Sequence, residues 1–105
     1  MQRKIKFTPT ADEQLTALEN TPSKAGLLAQ VRKAIGYLEI NPQHPGLQTH
    51  EFLSLTGANG EKVFEAYAQN NTPGAYRIFW HYGPDGTRGK QRTPVITIVA
   101  ITRHP

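Results

Sequence analysis

The chain contains no cysteine, which excludes a disulfide framework and any thiolate metal site and fits a reducing compartment. It also lacks anything close to the ~18 consecutive apolar residues of a membrane span. The opening Met-Gln-Arg-Lys-Ile-Lys-Phe is basic but has no apolar run of the kind a secretory signal carries. The expectation is a cytoplasmic protein with no membrane partner. Repeats, low-complexity tracts and an interdomain linker are missing, as are a Gly-rich phosphate loop and a nucleophile elbow. The four histidines, His44, His50, His81 and His104, show none of the short paired spacings of zinc sites, so no metal and no cofactor is expected. At 105 residues and 37% hydrophobic content, there is room for one core and one domain, residues 1–105, so the function must sit on one surface.

What the chain does have is lopsided charge. Residues 1–75 hold seven Lys/Arg against seven Asp/Glu and are formally neutral. Residues 76–105 hold Arg77, Arg88, Lys90, Arg92 and Arg103 against Asp85 alone, so the whole excess of +4 lies there. A one-sided basic footprint suits a polyanion such as nucleic acid, or an acidic protein partner.

Hydrophobic periodicity sets the order of elements. Arg3 to Thr8 alternates charge with Ile5 and Phe7, a short strand with one buried face. Pro9 should stop it, and Thr10 with Glu13 forms a capping-box pattern that starts a helix carrying Ala11, Leu15 and Leu18 on one face, ending near Asn20. Thr21-Pro22-Ser23 opens a second helix, with Leu27, Val31, Ala34, Ile35 and Leu38 at helical spacing, that ends near Asn41-Pro42. So short a link predicts an antiparallel helical hairpin. After the turn-rich Pro42 to Gly46, four segments read as extended: His50–Leu55, Lys62–Ala68, Ala75–Tyr82 and Val95–Thr102. Gln69 to Gly74 is a turn, and Gly83 to Pro94 is expected to be an exposed, mobile loop. Val95 to Ile101 is apolar on both faces and should be a central strand, with the helices on one side of the sheet and the working face on the other.

This order, with Tyr76-Arg77-Ile78-Phe79-Trp80 and the closing Ile98-Val99-Ala100-Ile101-Thr102-Arg103-His104, resembles the RelE/ParE family of bacterial toxins over nearly the whole chain. Asn41 to Leu47 followed by His50, and Val63-Phe64-Glu65-Ala66-Tyr67, are similar to further stretches of the family. The departures are the long 83–94 loop and the lack of an extension beyond Pro105. The resemblance implies an α+β, RelE-like fold: an N-terminal strand and a helical hairpin packed on a three- to four-stranded, mainly antiparallel sheet. It implies the toxin of a type II toxin–antitoxin system, with a cognate antitoxin, the ribosome and messenger RNA as partners. Its activity would be ribosome-dependent cleavage of messenger RNA by attack of the ribose 2′-hydroxyl on the adjacent phosphate. That chemistry needs a base, cations around the phosphorus and an acid for the leaving 5′-oxygen, and no metal. Two other functions share the fold: a ParE-like inhibitor that binds DNA gyrase, and a catalytically silent RNA- or protein-binding module.

Arg77 matches the family's strand arginine, whose planar guanidinium can hold two phosphate oxygens; the bland alternative is an ion pair with Glu65 or Glu51. His104 matches a C-terminal histidine of some RNA-cleaving members and is a candidate general acid or base. As the penultimate residue it could equally lie idle. Strand alternation puts Arg77, Phe79 and His81 on one face and Ile78 and Trp80 on the other, so His81 is a second proton-transfer candidate on the open face. The same alternation lets Arg103 and His104 share a site only if the strand has ended. Glu65 and Tyr67 share a face, and Glu65 could orient a histidine or act as base; His50 or Glu51 lies where some members place a carboxylate. Lys62, Arg88, Lys90, Arg92 and Arg103 are the candidate RNA-binding cations, the middle three at a spacing that could track a phosphate backbone.

Overall fold

The computed structural model describes residues 2–69 and 74–104. The chain runs β1 (Lys4–Phe7), α1 (Pro9–Glu19), α2 (Ala25–Ile40), β2 (His50–Thr56), β3 (Lys62–Tyr67), β4 (Tyr76–Tyr82), β5 (Gly86–Arg88), β6 (Gln91–Thr93) and β7 (Val95–Arg103). Five strands make one sheet in the order β1-β7-β4-β3-β2, and β5 with β6 forms a separate two-stranded hairpin. β1 runs parallel to β7, with Ile5 opposite Ile96 and Phe7 opposite Ile98, and the other pairs are antiparallel. The sheet is thus larger than the three to four strands expected, because β1 and β2 both join it as edges.

The helices bury one side of the sheet. Ala11 and Leu18 of α1 and Val31, Ala34 and Leu38 of α2 pack with Ala66, Ile78, Trp80, Ile96, Ile98 and Ile101. The twofold alternation of β4 thus sends Ile78 and Trp80 into the core as its sequence pattern predicts. β7 lies between β1 and β4, which is where a strand apolar on both faces belongs. It departs from simple alternation once. Phe79 faces Ala100 and Trp80 faces Ile98, leaving Val99 as the extra residue of a bulge. The bulge lets Ile98 and Ile101, three residues apart, both enter the core while Ala100 and Thr102 keep to the open face.

Thr8 anchors that bulge. Its hydroxyl donates to the Val99 carbonyl at 3.1 Å and accepts from the Ala11 amide at 3.2 Å. Thr8 is therefore the N-cap of α1, with Pro9 in its first turn, and the Thr10/Glu13 capping box does not form. Pro9 begins the helix rather than merely ending the strand, since its fixed φ and missing N–H suit the first helical turn. A short 3₁₀ turn, Pro22–Lys24, precedes α2, and Asn41 leaves the helix at φ −155° ahead of Pro42, as expected for a residue before proline.

The 83–94 segment is not the open loop expected. Thr87 pairs with Arg92 and Arg88 with Gln91 across the two-residue turn Gly89-Lys90, with Gly89 at φ +65°. A two-residue hairpin turn needs such a positive φ, which glycine adopts without strain.

Thr8→Ala should lower stability by about 1–2 kcal/mol through loss of the cap and the bulge contact, whereas Thr10→Ala should stay within about 0.5 kcal/mol. Urea unfolding followed by fluorescence of the single tryptophan checks this, and the reverse ranking would restore the capping box.

Candidate active site

The open face of the sheet is built from cross-strand neighbours. Glu65 of β3 faces His50 of β2 and Phe79 of β4, and Tyr67 faces Arg77. Arg77 in turn faces Thr102, and Phe79 faces Ala100 on β7. Side chains directly opposite in a sheet lie on the same face within contact distance. His50, Glu65, Tyr67, Arg77 and Phe79 are thereby collected in one place, and the end of β7 brings in His104.

At the centre is Glu65, whose side chain is 1% exposed. An ionisable group so buried must be met by polar partners. His50 Nε2 lies 2.7 Å from Glu65 Oε1, and His104 Nδ1 is hydrogen-bonded to Glu65 Oε2. The two imidazoles are each 49% exposed and close over the carboxylate from the solvent side. The remaining nitrogen of His50, Nδ1, sits 3.0 Å from the Gln48 carbonyl. Gln48 has the left-handed φ of +46°, so the chain turns sharply just before β2 begins.

Arg77 lies behind this cluster with its side chain 11% exposed. Its guanidinium stacks on Tyr67, 3.7 Å from the ring centroid. Nη1 donates to the carbonyls of Gln69 at 2.8 Å and Tyr76 at 3.2 Å. Nε is 3.9 Å from Glu65 Oε2, beyond hydrogen-bond range, and has no hydrogen-bond partner among the described residues. The ion pair with Glu65 that the sequence left open is therefore present as a charge contact. The pairing with Glu51 is not, since Glu51 turns to Lys62 at 4.0 Å.

Beside the cluster opens a cleft of about 570 Å³ floored by Phe52, Phe79 and Ala100 and rimmed by Arg103 and His104. Phe52 and Phe79 pack with ring centroids 4.8 Å apart. β7 ends at Arg103, opposite Tyr76, and the next amide, His104 N–H, donates to the Ala75 carbonyl at 3.0 Å. The penultimate residue is thus tied down, and because the strand ends there, Arg103 and His104 both reach the cleft.

Other candidates lie elsewhere. His81 has the strand parity of Arg77, but it is 4% exposed and its Nδ1 is 2.9 Å from the Tyr82 carbonyl. Four residues further along the strand, it sits roughly 13 Å from Arg77. The expectation of an open, available histidine is corrected, because the His81 side chain is buried and its Nδ1 is engaged by the chain's own backbone. Its charged neighbour is Glu61, whose carboxyl is held below the ordinary carboxylate range mainly by the backbone amides of Glu61 and Asn59, with a smaller contribution from His81. Lys62 is exposed at the start of β3, at that same far end. Lys90 and Arg92 belong to the β5–β6 hairpin, which leaves β4 after Tyr82, while the cluster stands at the Arg77 end. Arg88 pairs through its backbone with Gln91; its side chain is outside the described residues. Lys90 and Arg92 therefore do not flank the Glu65 cluster. Among the described residues no group of three or more His, Asp or Glu side chains is placed to hold a metal ion, and no helix is long and apolar enough to cross a membrane.

His50 is the member of the cluster that sequence reasoning underweighted. The signal was its place opposite Glu65, which only the register of β2 on β3 reveals.

No protein-family model and no curated protein sequence matches the chain. Solved structures do match its fold. A YoeB/ParE toxin from Agrobacterium tumefaciens superposes with a TM-score of 0.64 at 10% identity, covering 97% of this chain and 99% of the other. A YoeB dimer from Staphylococcus aureus superposes with a TM-score of 0.60 at 11% identity, over 100% of both chains. The chain thus shares the fold of these two structures, with two helices on a mainly antiparallel sheet.

Arg77→Ala should cost about 3 kcal/mol, because it strips the buried Glu65 of its nearest fixed charge and removes the guanidinium donor to the Gln69 carbonyl. Arg77→Lys should recover little of that, since a lysine cannot stack and fork in the same way. Urea unfolding measures both; a loss under about 1 kcal/mol in Arg77→Ala would show that the charge is not structural.

Proposed function

We propose that this chain is the toxin of a type II toxin–antitoxin pair and cleaves messenger RNA on the ribosome. The observation that carries this reading is the hydrogen bond from His104 Nδ1 to the buried Glu65. A carboxylate on Nδ1 holds an imidazole in the Nδ1–H tautomer and leaves Nε2 as the basic lone pair, the same logic by which an aspartate orients the histidine of a serine-protease triad. In this reading His104 Nε2, at the cleft rim, takes the proton of a ribose 2′-hydroxyl. The 2′-oxygen attacks phosphorus, the P–O5′ bond breaks, and the products are a 2′,3′-cyclic phosphate and a 5′-hydroxyl, whose proton comes from solvent water. Arg103 at the same rim offers its cation to the phosphate as negative charge grows on it. Phe52 gives an apolar platform on which a base can stack. Arg77, turned toward backbone carbonyls, serves chiefly to hold Glu65 and the β3–β4 connection in place. His81 has no part.

The cleft is open and shallow for a substrate that must be aligned for in-line attack. Alignment is therefore assigned to the ribosome, which would supply the orientation that a self-sufficient enzyme builds from its own walls. A cytoplasmic location and an acidic antitoxin that covers the Arg103/His104 rim go with this reading.

Induced expression in a bacterium, with primer extension on a reporter messenger RNA, tests it. The wild type should arrest growth with discrete, codon-phased cuts, and His104→Ala should reduce cutting by at least ~10²-fold, the usual weight of a general base. Arrest without cuts would point instead to gyrase binding. Neither arrest nor cuts would leave the fold as a silent binding module, and the ribonuclease reading would be wrong.

A further inference from the structure

His50 stands outside the roles just described, yet its ring is held from several sides. It uses both ring nitrogens. Nδ1 is 3.0 Å from the Gln48 carbonyl, which can only accept, so Nδ1 must carry the hydrogen. Nε2 lies 2.7 Å from Glu65 Oε1, so that contact needs a proton of its own between nitrogen and oxygen. The ring is further held edge-on to Tyr67, centroids 6.0 Å apart. A side chain pinned at three points is placed to pin something else, and what it holds is one oxygen of Glu65.

A carboxylate has two oxygens in one rigid plane. Fixing Oε1 against His50 fixes where Oε2 points, and Oε2 is the atom bonded to His104 Nδ1. Arg77 cannot do this, because its Nε stands 3.9 Å away and lies against Oε2; among the described residues it is His50 that makes the ion-pair contact with Oε1. We propose that His50 is a positioning residue: by gripping Oε1 of Glu65 it aims Oε2 at His104 and holds His104 as the Nδ1–H tautomer with Nε2 free for the substrate. The connection runs across the sheet from the edge strand β2, through β3, to the end of β7. It rests on the reading of His104 as a base for its catalytic consequence, but not for its effect on the His104 ring itself.

Two variants separate positioning from folding. In His50→Gln the side-chain amide nitrogen reaches about as far as Nε2 and can still donate to Oε1. In His50→Phe the ring against Tyr67 is kept and the donor is lost. The first readout is nitrogen-15 NMR of the His104 imidazole in the intact protein, which distinguishes the two tautomers directly. Wild type and His50→Gln should show His104 as the Nδ1–H tautomer, and His50→Phe a mixture of both. The second readout is the cleavage rate on ribosome-bound messenger RNA, in which His50→Gln should stay within a few-fold of wild type and His50→Phe should fall by at least tenfold while remaining folded. An unchanged His104 tautomer in a folded His50→Phe overturns the proposal. If the tautomer shifts as expected but the wild type cuts no RNA, the positioning role stands and the ribonuclease reading is what fails.

Discussion

The fold is organised around one buried carboxylate. Glu65 is 1% exposed in the middle of a strand, and a charge so placed is tolerated only where polar partners converge on it. Its partners come from three other strands: His50 from β2, Arg77 from β4 and His104 from just beyond β7. Each arrives through strand register, and a slip of one residue in any of those pairings would turn the side chain to the helix-covered face. The bulge at Val99 therefore bears on the cluster as well as on the core. It absorbs one residue of β7, so that Ile98 and Ile101 both stay in the core while Thr102 and the end of the strand keep the open-face parity that His104 needs.

Much of this was legible beforehand, and the parts that were not have physical reasons. The helical hairpin followed from the apolar spacing of α2 and the proline after Asn41. The inward set of β4, Ile78 and Trp80, followed from alternation alone. The capping box at Thr10 was misleading because Thr8 has a second partner, the bulge carbonyl of Val99, which no local pattern encodes. The 83–94 segment read as a loop from its Gly, Pro and charged residues, yet a glycine at the turn and alternating residues that can pair are also what a short hairpin requires. His81 shared the parity of Arg77, but alternation says which face a residue takes and not whether its side chain stays exposed. His50 could be placed on Glu65 only once β2 was known to pair with β3 in that register.

The distribution of charge also takes on a different meaning in three dimensions. All the excess positive charge lies in the last 30 residues, but the fold divides it. Arg77 and Arg103 stand at one end of the sheet with the Glu65 cluster. Lys90 and Arg92 stand on the hairpin beyond Tyr82, at the other end. The hairpin thus carries Lys90 and Arg92 apart from the Glu65 cluster. The agreement with toxin structures at about a tenth of residues identical is an agreement of fold.

In the proposed reaction Glu65 and His104 act as one unit, the carboxylate working only through the imidazole it holds. A double-mutant cycle on the rate of cleavage of ribosome-bound messenger RNA, with Glu65→Gln and His104→Gln, tests it most directly. The account predicts that each single variant is slow and that the double variant is no slower than His104→Gln alone. If the two losses instead multiply, Glu65 acts independently of His104 and the account is wrong.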